Sequence, residues 1–298
     1  MEKKLVLGII CVILASIAFG VAPVFTKELI LSGMDTLSIM MYSPLSALLV
    51  VGIVMLVRGL SLKVTKTQLW QLFLFCGCSN SMAAYLLFSA YRFLPIGLAT
   101  MFHFIYPTIV TIIMMAAFKE KVSAMKVITI VMAFVGLGLI FDLSGRMSLL
   151  GVALALGSGL SYAIYVVATR KSAYNNLPII VLVFYSSILS VVLIAIYQLA
   201  TRQLIIPVKA WEWLMISANG LVGNLFAYAI LIVGIRRIGP SNAAIANMLE
   251  PLTALVAGAV IYGDRIEFKA LFGCILVILA IMLIPFHDRF AQEKPRKE

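Results

Sequence analysis

Ten apolar stretches follow one another along this sequence. They lie near residues 5–26, 37–57, 69–90, 96–118, 126–142, 149–169, 178–200, 211–234, 240–262 and 268–286. A bilayer core takes about 20 helical residues to cross. In hydrocarbon every backbone N–H and C=O must be paired within the protein, so stretches of this length are read as helices. The connections are short, and most begin or end with Lys or Arg. Of the 298 residues 63% are hydrophobic, only 12% are charged, and the mean hydropathy is +1.11. A soluble protein carries about twice that share of charge. The expected fold is an all-α membrane protein with ten transmembrane helices.

The net charge of +11 does not point to nucleic acid. The basic residues are scattered among short loops, as topology signals are, and form no binding stripe. With a cytoplasmic N-terminus, inner segments hold 16 Lys and Arg and outer segments 7. The positive-inside rule therefore predicts a multi-pass protein of the cytoplasmic membrane with both termini cytoplasmic. Residues 288–298 form a polar cytoplasmic tail. Lys3 and Lys4 before an apolar run resemble a signal peptide, but that run has a counterpart later in the chain and is read as a retained first span. Cys11, Cys76, Cys78 and Cys274 all fall inside apolar runs. Packing is their expected role.

The counterpart comes from an internal repeat. Shifted by 144 residues, the third to fifth spans lie on the eighth to tenth. Asn80 falls on Asn224, Arg92 on Arg236, Ala99 on Ala243 and Pro107 on Pro251, and Glu120-Lys121 falls on Asp264-Arg265. A shift of 143 brings the first span onto the sixth, with Phe19 on Tyr162 and Lys27 on Arg170. Five spans per half make the second half enter the membrane upside down. The expected architecture is two inverted five-helix repeats, residues 1–143 and 149–287, as in many secondary transporters.

Such a duplication locates a site near the midplane, between the halves, at interrupted helices in matching positions. Glu250 stands in mid-span with Pro251 directly after it. A carboxylate there costs about 2.5–3.5 kcal/mol on insertion scales. It is either paired structurally or faces a functional cavity. Pro107 and Pro251 are matched helix breaks, and Pro23 in the first span is a third. A proline leaves the carbonyl four residues earlier without its helical donor. Here those carbonyls belong to His103 and Asn247, which align with each other. Tyr106 stands where the second half has Glu250, so one carboxylate makes the site asymmetric. Asn80 and Asn224 must find partners inside the membrane, as interhelical glue or as cavity lining, and Tyr228 lies one turn from Asn224. The candidate substrate- or proton-binding set is Glu250, Asn247, His103, Tyr106, Asn80, Asn224 and Tyr228. Lys27 could snorkel to the interface or contact an anionic group.

Enzyme signatures are missing: the sequence has no HExxH, GxSxG or P-loop, and no paired aspartates within the spans. No catalytic residue, metal ligand or cofactor is assigned. An intramembrane lipid-processing enzyme would need a nucleophile, base or metal cluster that is not found here; a non-transporting receptor or small channel is a further alternative, marked by single-channel currents or by binding without flux.

The sequence resembles the EamA type of the drug/metabolite transporter superfamily, as two tandem units. FLPIGLATMFHFIYPTIVTIIMMAAFKEKVS and RRIGPSNAAIANMLEPLTALVAGAVIYGDRIE carry the resemblance. Each has a small-residue run, a proline and an apolar run. The second closes on Gly-Asp-Arg, close to the family's Gly-Glu-Arg, whereas the first has Lys119-Glu120-Lys121. The family's Leu-Glu-Pro is Leu249-Glu250-Pro251, and Phe19-Gly20 stands where Trp-Gly is usual. The resemblance implies export of a small metabolite or amino acid by alternating access without ATP. Proton coupling and uniport are both compatible with it.

Overall fold

The computed structural model describes residues 2–140, 148–201, 205–263 and 266–284. The tail 288–298, His287, Arg146, Arg202 and the Asp264-Arg265 pair lie outside the described residues. Eight helices are long and apolar enough to cross a membrane: α1 Lys3–Leu31, α2 Thr36–Val57, α3 Lys66–Ala90, α4 Ile96–Phe118, α6 Leu149–Lys171, α7 Ile179–Thr201, α8 Ala210–Ile238 and α9 Pro240–Tyr262. Two shorter apolar helices, α5 Ala124–Ile140 and α10 Phe268–Met282, complete the expected ten.

Local chemistry sets the helix ends. The Asp35 carboxylate caps α2 by accepting from the Ser38 N–H at 3.0 Å. Thr65 and Gln68 form a capping box at the start of α3. Each side chain accepts from an N–H at the helix start, where the intrahelical acceptors are missing. The last turns of α4 and α9 close in the left-handed region, at Lys119 (φ 53°) and Gly263 (φ 70°). These positions are 144 residues apart and so are mates in the repeat. Glycine adopts this conformation without strain and lysine does not.

Packing is predominantly between the halves. α1 lies on α8 and α9, while α6, its mate, lies on α3 and α4. α2 lies on α8, and α7 correspondingly on α3. Three pairs of mates pack on each other: α2 on α7, α4 on α9 and α5 on α10. Every major contact thus has a partner under exchange of the repeats. Small residues permit the closest crossings. A Cβ at Gly136 would stand 2.7 Å from the Gly273 carbonyl oxygen, and one at Gly20 would overlap Thr253. Without a hydrophobic drive between helices in lipid, such close van der Waals contact is a principal source of association.

Pro23 does not break α1, which runs through it without interruption. The other two expected breaks are present. α4 is interrupted between His103 and Tyr106, and α9 tightens into a 3-10 turn over Asn247–Leu249. α3 and α8 each carry an eight-residue π-helical segment, Leu72–Ser79 and Gly220–Ala227. Widened turns of this kind are frequent at functional sites.

Candidate functional site

The two interrupted helices, α4 and α9, pack on each other, and Asn247 is the hub between them. Its amide Nδ2 donates to the Tyr106 hydroxyl and to Glu250 Oε2, both at 3.1 Å. Its Oδ1 accepts from Ser16 Oγ of α1 at 3.0 Å. Tyr106 OH also points to the Ala244 carbonyl at 3.4 Å. Tyr106 and Glu250, equivalent positions in the two halves, therefore meet on one amide. Asn247 is 1% exposed. An amide buried that far is costly unless its donors and acceptor are engaged, as they are here.

Pro251 cannot donate to the Asn247 carbonyl, but that oxygen is not left open. The 3-10 turn brings the Glu250 N–H to it instead. The His103 carbonyl lies against Gly159 of α6, where a Cβ would come within 2.7 Å.

His103 joins the same region by a different partner. Its Nδ1 lies 2.8 Å from Ser158 Oγ. The Ser158 hydroxyl donates to the Ala83 carbonyl at 2.6 Å, so its hydrogen is committed. His103 Nδ1 is then the donor to Ser158, and the proton sits on Nδ1. Tyr162 fills the space between His103 and Tyr106, with ring centroids 5.5 and 4.7 Å away. Glu250 and His103 thus converge on Tyr106 from opposite repeats.

Asn80 and Asn224 line a different space. With Asn219, Thr26, Ser43 and Ser190 they surround a cavity of about 210 Å³ that has no charged side chain among the described residues of its wall. Asn219 Nδ2 donates to Thr26 Oγ1 at 3.2 Å and Ser43 Oγ at 3.1 Å, fixing its amide. Thr36 and Phe88 belong both to this cavity and to a wider vestibule of about 780 Å³ that also includes Met34, Asp35, Tyr85 and Arg92. Toward the other face the bundle is packed. Tyr165 stacks on Tyr228 at 5.9 Å, and both lie in the main core with Tyr174 and Cys76. The hydroxyls of Tyr165, Tyr174 and Tyr228 are all buried within this packed group.

Of the expected residues, the structure therefore brings Glu250, Asn247, Tyr106 and His103 together. It sets Asn80 and Asn224 together in a separate polar cavity. Tyr228 belongs to the packed aromatic group, and Lys27 is exposed with its ammonium 3.5 Å from the Tyr262 ring centroid. Sequence reasoning missed Ser16, Thr26, Ser43 and Ser190. Their only signal is a hydroxyl within an apolar run, which is equally what a back-bonded helical serine gives.

A family model described as the EamA-like transporter family matches residues 6–142 and again 149–286, nearly the whole chain. The chain belongs to the EamA-like transporter family. That family stands within the drug/metabolite transporter superfamily. This EamA protein is 28% identical to the uncharacterized transporter sll1319 of Synechocystis, over 77% of this chain and 70% of that one. It is 26% identical to the uncharacterized transporter YvbV of Bacillus subtilis, over 82% and 83%. It is 25% identical to the threonine/homoserine exporter RhtA of Escherichia coli K12, over 70% and 69%. One solved crystal structure superimposes with a TM-score of 0.80 at 15% identity, covering 97% of this chain and 99% of the other. That likeness supports the fold.

Proposed function

We propose that this protein is a secondary transporter that exports a small organic solute across the cytoplasmic membrane by alternating access. The observation that carries the reading is the polar cavity between the repeats, which has mates Asn80 and Asn224 in its wall, adjoins a vestibule on one face and meets packed helices on the other. Hydroxyls and amides without a charge suit a small neutral or zwitterionic solute, and about 210 Å³ has room for an amino acid. The name of the relative RhtA agrees with an amino-acid cargo. Residues 1–143 and 149–287 are the two repeats, whose interleaved helices supply the two alternating faces. Both termini are cytoplasmic on the distribution of Lys and Arg, which puts the vestibule outside. The protein is not an enzyme on this reading.

Glu250 is the coupling group. It is held by Asn247, which also holds Tyr106, so a proton arriving on the carboxylate changes what the hub can bond. Crossing 100 mV with one charge is worth about 2.3 kcal/mol, enough for a solute gradient of roughly fifty-fold. Uniport is the second reading, because the charge-free cavity wall is compatible with flux that never uses Glu250. Counterflow of labelled threonine in proteoliposomes separates them. With Glu250→Gln, coupled transport predicts exchange that persists while pH-driven accumulation falls at least tenfold. Unchanged pH dependence would falsify the role of Glu250. Absence of flux for every amino acid tested would remove this cargo class.

A further inference from the structure

The two faces of the bundle are mates in the repeat, yet one is open and one is packed. Vestibule-lining Met34 and Thr36 have Leu177 and Ile179 as counterparts 143 residues on, and Phe88 has Ile232 at 144. Ile232 is buried in the main hydrophobic core, and Leu177 and Ile179 are half-buried against it. The packed face thus displays what the vestibule lining does when it closes.

On the packed face Gln68 and Gln71 of α3 bond the Ala173 backbone, Tyr185 bonds the Leu62 carbonyl, and one further contact has a charged donor. Arg236, near the end of α8, donates from Nη2 to the Leu177 carbonyl at 2.9 Å, in the turn joining α6 to α7. A charged donor on a backbone carbonyl ties the end of α8 to that turn. The mate of Arg236 is Arg92, just past the end of α3, and the mate of Leu177 is Met34, in the turn joining α1 to α2. Arg92 and Met34 both line the vestibule, and Arg92 is exposed.

From this arrangement we infer that Arg92 and Arg236 are alternating latches of the transport cycle. Arg236 on Leu177 holds the face now packed. When the vestibule closes, Arg236 releases and the Arg92 guanidinium donates to the Met34 carbonyl. The acceptor is a backbone oxygen in both cases, so the side chain at the turn is free to differ between halves, as Met and Leu do. Arg92 is a positioning residue and need not touch the solute. The inference rests on the alternating-access reading of the fold.

Paired reporter cysteines test it. Ser89→Cys reports on the vestibule and its mate Val233→Cys on the packed face, each in a background with the four native cysteines replaced by alanine. The ratio of their labelling rates with a maleimide, in proteoliposomes without solute, follows the equilibrium between the two faces. Loss of a charged hydrogen bond from one state shifts such an equilibrium by about tenfold. Arg92→Ala is expected to raise the vestibule-to-packed-face ratio, and Arg236→Ala to lower it. Arg92→Lys, which keeps a cationic donor, is expected to fall between Arg92→Ala and the parent and serves if the alanine variant does not fold. The latch is overturned if Arg92→Ala or Arg92→Lys leaves the ratio unchanged, or if the Arg92 and Arg236 variants move it in the same direction. Because the readout needs no solute, opposite shifts without flux would keep the latch and sink the transport reading.

Discussion

Single residues carry the asymmetry between two halves that pack alike. Asn247 is where it concentrates, since it receives a tyrosine from one repeat and a carboxylate from the other. Asn247→Leu removes all three of its side-chain bonds and leaves Ser16, Tyr106 and Glu250 to find other partners in a buried site. Each lost bond costs about 1–3 kcal/mol when its partner is left unsatisfied. A clear fall in the melting temperature is expected together with loss of exchange, whereas Asn80→Ala at the cavity wall should raise the apparent KM with the fold intact. Scanning fluorimetry beside uptake kinetics distinguishes the two. Lys119 makes the opposite case. It holds a left-handed conformation that its mate Gly263 holds freely. Lys119→Gly should stabilise the protein by about 1 kcal/mol, read as a higher melting temperature. A lower one would mean that the lysine side chain contributes more than its backbone costs.

At the level of helices, interruption and close approach shape the site. The sequence signalled the α4 and α9 breaks through Pro107 and Pro251. It did not signal the π segments of α3 and α8, because their Gly77, Gly220, Gly223 and Asn224 are equally at home in an uninterrupted membrane helix. The loop from α4 to α5 is tied by an ion pair between Glu120 and Lys126 whose lysine is 3% exposed. Removing one partner of such a pair costs more than removing both. Glu120→Ala should therefore destabilise by about 2 kcal/mol or more, and Glu120→Ala with Lys126→Met should recover part of that loss. Where α5 crosses α10, Gly136→Leu drives a side chain into the Gly273 backbone. Loss of that pairing is expected, seen as a broadened or lowered thermal transition.

The whole molecule is two interleaved copies of one five-helix unit, packed predominantly across their boundary. Orientation is a property at this scale. If basic loops set it, an epitope at either terminus of the expressed protein reacts with antibody only after the cell membrane is permeabilised. Reaction in intact cells would reverse the assignment of faces and make the vestibule cytoplasmic.

The sequence by itself determined the class, the number of spans, the duplication and the residues on which the halves differ. Hydrocarbon makes those features legible, because length, charge and proline carry large costs there whatever the neighbours are. Glu250, His103 and the two prolines stood out for that reason. Tertiary structure alone decided which polar residues share a space: that Asn247 joins Tyr106 to Glu250, that Asn80 and Asn224 line a cavity apart from them, and that Tyr228 is packed away. Those outcomes turn on helix rotation and on distances of a few ångströms between residues more than a hundred apart in sequence. It also decided that one face is open and the other closed. Two nearly equivalent repeats can pack either way, so no residue pattern can specify which of the two arrangements is present.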